Sequence, residues 1–383
     1  QDGVSGVTDI DASNGITLDG SDYQVGGTLN LDDSSATAIN LTGGVTNIVT
    51  SGDNVNIDTG DDDSVVTLGN GTNLTITTAG GNVTAQAGFD GTSDEDLTIN
   101  AAAGSVDVGQ IGTNDADGIH DVNITANGGV TLRGNIVTTN ASAGDVNITG
   151  TTTVTGNTTI DTQQGADGNI DIDAITGDTA GAGWDLTLNA DTGSVTVGTI
   201  GTDAAADRIN AVDIDADAGV TLNGSIFTGE DAGTNDGNVD IDGAVTLGAN
   251  VTVDTTDAAA GDAGTVVFQD TVNSDGTTRS LTVTTAIDRD ITFSGAVGTT
   301  AALSELTVTN GDVVTLQAVD TNGANGVRIG SAAAVTQIIL NGNLDSTDGD
   351  AAANGGIINL NSANIDLTTT VTLDSATFSF STT

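Results

Sequence analysis

No cysteine, proline, methionine or lysine occurs anywhere in the 383 residues. Without cysteine there is neither a disulfide framework nor a thiolate nucleophile. Without proline, every interior β-strand keeps its full set of backbone donors. Positive charge is confined to five arginines, Arg133, Arg208, Arg279, Arg289 and Arg328, against 53 acids, for a formal net charge of −48. Such a surface repels phosphate, so nucleic acid is excluded as an electrostatic partner, and an anionic membrane surface is disfavoured on the same ground. No run of about 18 apolar residues exists, so membrane insertion by a helix is not expected. Tyr23 and Trp184 are the only Tyr and Trp, and glutamate is found only at Glu95, Glu230 and Glu305. The chain opens Gln1-Asp2-Gly3 with no initiator Met, as a processed, exported protein would.

The remaining alphabet is Gly, Asp, Asn, Thr, Ala, Val, Ile and Leu. Val, Ile and Thr suit a pleated, half-buried surface. Gly, Asn and Asp suit turns, because they tolerate positive φ or bond their own backbone. The strong helix formers are scarce. Hydrophobic residues make up 36% of the chain and fall in a regular pattern, which argues for an ordered chain against low-complexity disorder.

That pattern is a polar turn residue followed by apolar-x-apolar. It recurs as Asp96-Leu97-Thr98-Ile99, Asp121-Val122-Asn123-Ile124, Asp145-Val146-Asn147-Ile148 and Asn169-Ile170-Asp171-Ile172. The apolar starts Leu97, Val122, Val146 and Ile170 follow one another at a nearly constant step. A longer repeat overlies the short one. The stretch from Leu97 to Thr113 aligns without a gap with that from Leu186 to Thr202. Gly129-Val130-Thr131-Leu132 likewise aligns with Gly219-Val220-Thr221-Leu222.

Strict alternation puts Leu97, Ile99, Val106, Val108, Val122 and Ile124 on one face. A coil of about 24 residues accommodates three short strands, and stacked coils lie about 4.8 Å apart. One coil cannot bury its apolar face alone; stacking buries it collectively. The expected fold is therefore all-β, a parallel β-helix or β-solenoid of about 14–18 coils. Residues 1–96 form irregularly spaced coils. Residues 97–185 and 186–280 form a first and second superrepeat, and 281–383 a diverged third with C-terminal strands, all in one continuous solenoid. Tandem β-sandwich domains are the alternative, since the longer repeat, at about 90 residues, is near an immunoglobulin-like length.

The Leu-Thr-x-Asn-Ala…Gly-Ser-Val-x-Val-Gly…Ile-Gly and Gly-Val-Thr-Leu-x-Gly phrases of residues 97–320 resemble the β-strand repeats of large bacterial surface adhesins and filamentous-haemagglutinin-like exoproteins. The resemblance covers more than half of the chain and concerns repeat style, with no catalytic motif in it. It implies a right-handed β-helix, export to the cell surface or extracellular space, and a role in adhesion or extracellular fibres. Cell-surface glycans or other cells are then the partners to expect. The chain is much shorter than members of that family.

Candidate sites are few. Asp-rich loops supply oxygen donors of the kind calcium takes. They place candidate calcium ligands at Asp61, Asp63, Asp115, Asp117, Asp345 and Asp348, although no loop has full EF-hand or β-roll spacing. His120, the single histidine, lacks a Cys or a second His and reads as a solvent-facing turn residue. The segment Val371–Phe380 alternates strongly. Phe378 and Phe380 are candidate anchors for assembly into a homo-polymer through the solenoid ends. Catalysis is not expected: no Lys is available as a base, and with so many Asp a close carboxylate pair carries no information. Two further readings are a stalk segment of a large adhesin and, less in keeping with the composition, a glycan-cleaving β-helix.

Overall fold

The computed structural model describes residues 6–12, 14–33, 39–44, 46–57, 65–113, 119–138, 143–163, 167–178, 183–204, 207–229, 237–256, 263–347 and 356–381. The fold is all-β, a parallel β-solenoid of about 13 turns of roughly 25 residues, with no α-helix among the described residues. Turns are fewer than expected because several are long. Val212 pairs with Val239, and Val251 with Leu281, and both steps exceed that from Val122 to its partner Val146. The chain divides into two compact units, Gln1–Thr176 with Thr187–Ser194, and Gly177–Leu186 with Val195–Thr383.

In the first unit the sequence repeat becomes three ladders. One carries Leu74, Leu97, Val122 and Val146 in register, and Val146 N donates to Asn169 O (2.9 Å), next to Ile170. A second carries Val55, Val83, Val106 and Val130. A third carries Ile16, Ile39, Val66 and Phe89. The second unit repeats the arrangement, for example with Val239, Val266, Ile291 and Val314 in one column. The described strand pairs are parallel throughout, which excludes antiparallel β-sandwiches.

Alternation explains why each strand faces inward as it does. Leu97 and Ile99 are buried while Thr98 between them is not. Each aliphatic side chain so buried contributes about 1.5–3 kcal/mol. A wider side chain is accommodated when its neighbour matches it: Phe268 and Phe293 share a register position and stack at 5.0 Å between ring centroids.

At several coils the polar residue before the apolar-x-apolar triplet has a specific task. Its side-chain oxygen accepts the backbone N–H of its counterpart one coil later. Asp96 N donates to Asn73 Oδ1 (3.0 Å), Asp145 N to Asp121 Oδ1 (2.9 Å), Asn169 N to Asp145 Oδ1 (2.7 Å) and Ser194 N to Asn169 Oδ1 (3.0 Å). A second column runs through Asn54, Asn82 and Ser105. In the second unit Thr265 N donates to Asn238 Oδ1 (2.8 Å) and Ser280 N to Asn250 Oδ1 (3.1 Å). Short Asx side chains reach a backbone donor at this distance, and the donor needs a partner once the coils stack.

Buried threonines add hydrogen bonds from inside the coils. The hydroxyls of Thr138, Thr162 and Thr255 donate to Gly144 O (3.1 Å), Gly168 O (2.8 Å) and Gly264 O (2.9 Å). Each hydroxyl thus reaches a carbonyl six to nine residues further along the chain. Gly150 shows why some turn positions admit only glycine. Its φ is +120°, and a Cβ there would lie 2.2 Å from Ala126 O.

Candidate functional sites

Two columns of the second unit determine its C-terminal edge. One runs Val251, Leu281, Leu306, Val327, Ile358, Phe378, and the other Val253, Val283, Val308, Ile329, Leu360, Phe380. The first five members of each are buried, whereas Phe378 and Phe380 are 39% and 54% exposed. The two rings meet edge to face at 4.3 Å. Beside them Leu367, in register on the buried Leu340, is 59% exposed. An apolar groove of about 380 Å³ lies here, lined by Leu340, Ile365, Leu367, Val371, Leu373 and Phe380. Both candidate assembly residues therefore stand on one exposed apolar edge.

A second site lies on the outer face of the first unit. Strand Glu95–Ala102 pairs with strand Ile119–Ala126, Glu95 opposite Ile119 and Leu97 opposite Val122. One residue, Asp96, thus faces two, His120 and Asp121. This is a β-bulge, and a bulge re-aims side chains. His120 Nδ1 lies 2.9 Å from Asp96 Oδ1 and 3.6 Å from Asp121 Oδ1. Burial alone would lower the His120 pKa. The hydrogen bond to Asp96 and the charges of Asp121, Asp96 and Asp94 outweigh burial and raise it above the ordinary histidine value.

No known family, characterised protein or solved structure matches this chain.

The expectation that His120 is a solvent-facing turn residue is corrected. It belongs to a strand, and its partners are carboxylates supplied by the register of two coils. The sequence does contain a trace of this. The step from Leu97 to Val122 is one residue longer than those from Val122 to Val146 and from Val146 to Ile170, and the extra residue is the bulge.

Of the candidate calcium ligands, Asp61, Asp63, Asp115, Asp117 and Asp348 lie outside the described residues. Asp345 is in register between Asp320 and Asp374, and its Oδ1 accepts Thr347 N (2.8 Å) and Thr347 Oγ1 (2.7 Å). Another acidic loop is built around Glu95. That carboxylate is buried and accepts Gly71 N (2.9 Å), Thr92 N (2.7 Å) and Ser93 N (2.8 Å). Burial would raise its pKa; these hydrogen bonds prevail and lower it. Glu95 is a structural anion that joins neighbouring coils.

All five arginines have partners within the chain. Arg133 forms a fork with Asp107 (2.6 and 2.9 Å) and Arg279 with Asp275 (3.1 and 2.8 Å). Arg289 Nε donates to Ala263 O (2.5 Å), and Arg328 pairs with Glu305. Arg208 is buried, donates to Thr228 O (2.8 Å) and lies 5.7 Å from the Phe227 ring centroid.

Proposed function

We propose that the chain is a non-catalytic structural protein of the extracellular space or cell surface. In this reading it is a subunit that polymerises end to end through its solenoid and serves adhesion or an extracellular matrix. The observation that carries the reading is the apolar surface of Leu367, Phe378 and Phe380, which are exposed while their register partners Leu340, Ile358 and Leu360 are buried.

The occupant of that edge is a second copy of the chain, and the support for this is continuity. Among the described residues, each strand pair is a parallel pairing of one coil on another. A copy presenting its own strand edge covers these side chains and adds a further parallel strand. The strand Thr8–Ala12 is suited to supply that edge. It pairs in parallel with Leu29–Asp33, and Val7 before it and Ile10 within it are exposed. Head-to-tail contacts that do not close on themselves yield filaments. Two surfaces of the same acidic chain repel each other, so polymerisation requires salt or calcium to screen them.

Electron microscopy and sedimentation velocity across protein concentration, with and without calcium and salt, test the reading. Polymers are expected in the wild type, and loss of polymers in a double variant Phe378→Asp, Phe380→Asp whose circular dichroism is unchanged. A wild-type chain that stays monomeric under all these conditions overturns it.

A further inference from the structure

The bulge at His120 gathers donor atoms in a way the filament reading does not use. One ligand atom from each of Asp96, His120 and Asp121 lies within 4.8 Å of those of the other two. The nitrogen is 2.9 Å from one oxygen and 3.6 Å from the other. A four-coordinate zinc ion holds its nitrogen and oxygen ligands at about 2.0–2.1 Å, so neighbouring donors on it are about 3.3 Å apart. The observed separations fall on either side of that value. For each of these nitrogen–oxygen pairs, sharing an ion requires a shift of only a few tenths of an ångström.

The donors are also held in place from behind. Asp96 Oδ2 accepts Asn73 Nδ2 (2.7 Å), and Asp121 Oδ1 accepts Asp145 N (2.9 Å). Outer contacts of this kind orient ligands and raise affinity. The three side chains are 20–35% exposed, which leaves a face through which an ion enters and water completes its shell. Two carboxylates on the ion, with Asp94 nearby, favour a divalent cation.

We propose that Asp96, His120 and Asp121 form a binding site for a divalent transition-metal ion of the zinc class. The imidazole nitrogen determines the class. Calcium takes six to eight oxygen ligands, whereas imidazole suits zinc, copper, nickel and iron. The site ties two successive coils together across the bulge, where the ladder is interrupted, and it is independent of how the chain assembles.

The single histidine makes the test unambiguous. The full chain, labelled with ¹⁵N-histidine, is titrated with Zn²⁺ and followed by NMR. The Nδ1 resonance is expected to move to a metal-bound position and to saturate at one equivalent. Asp96→Asn and Asp121→Asn each weaken that binding by about tenfold or more, and excess Ca²⁺ does not displace the zinc. Binding measured by calorimetry falls by a similar factor in His120→Ala, whose circular dichroism matches the wild type. An Nδ1 resonance that zinc leaves unmoved overturns the proposal, as does a His120→Ala chain that binds its first zinc with unchanged affinity.

Discussion

Leu360 and Phe380 occupy the same register position on adjacent coils, yet Leu360 is fully buried and Phe380 is 54% exposed. The same column therefore predicts two different mutational costs. Leu360→Ala opens a cavity in a closed stack and is expected to cost about 2–5 kcal/mol. Phe380→Ala in dilute, monomeric protein is expected to cost under about 1 kcal/mol, because much of the ring is in water already. Chemical denaturation of both variants at low concentration checks the contrast.

The column of Asx side chains predicts a dependence on chemistry at fixed size. Asp145 accepts the backbone N–H of Asn169. Asp145→Ala removes that acceptor and is expected to lower stability by about 1 kcal/mol. Asp145→Asn keeps a carbonyl oxygen at the same place and is expected to be near neutral. Thermal unfolding of the pair decides whether hydrogen bonding, and not charge, is what the position supplies.

Thr255 is buried, and its hydroxyl donates to Gly264 O at 2.9 Å. Thr255→Val preserves shape and deletes the donor, leaving a buried carbonyl without it. A loss of about 1–3 kcal/mol is expected. Thr255→Ser retains the donor and is expected to lose less. Denaturation midpoints rank the three chains.

Asp240 lies in register with Asp213 on adjacent coils. Partial desolvation raises the Asp240 pKa above 3.8; the Gln269 hydrogen bond lowers it, the Asp242 charge raises it, and the net shift is upward. A carboxyl raised on folding binds its proton more readily in the folded chain. Its contribution to stability therefore falls as pH rises through the interval above 3.8. Asp240→Asn is expected to stabilise the protein at pH 7 by roughly 0.5 kcal/mol, since like charges opposite one another are unfavourable and solvent screens them. The gain disappears below about pH 3.8, where Asp240 is protonated in both states. Unfolding midpoints of the two chains across the acid range up to neutrality follow the difference.

The sequence by itself determined the architecture. Period-two alternation within triplets, and a spacing of one coil between them, require Leu97, Val122 and Val146 to stack, because no single coil buries its own apolar face. The absent proline and the recurring Asx residue belong to the same constraint: each rung must accept and donate hydrogen bonds to the next. Tertiary structure alone decided where chemistry collects. Asp96 and Asp121 belong to successive coils, and whether they meet His120 depends on a register shift that places two residues opposite one. Periodicity reports which face a residue occupies, but a side-chain distance depends on the alignment of neighbouring coils, and a local bulge changes that alignment without disturbing the repeat on either side.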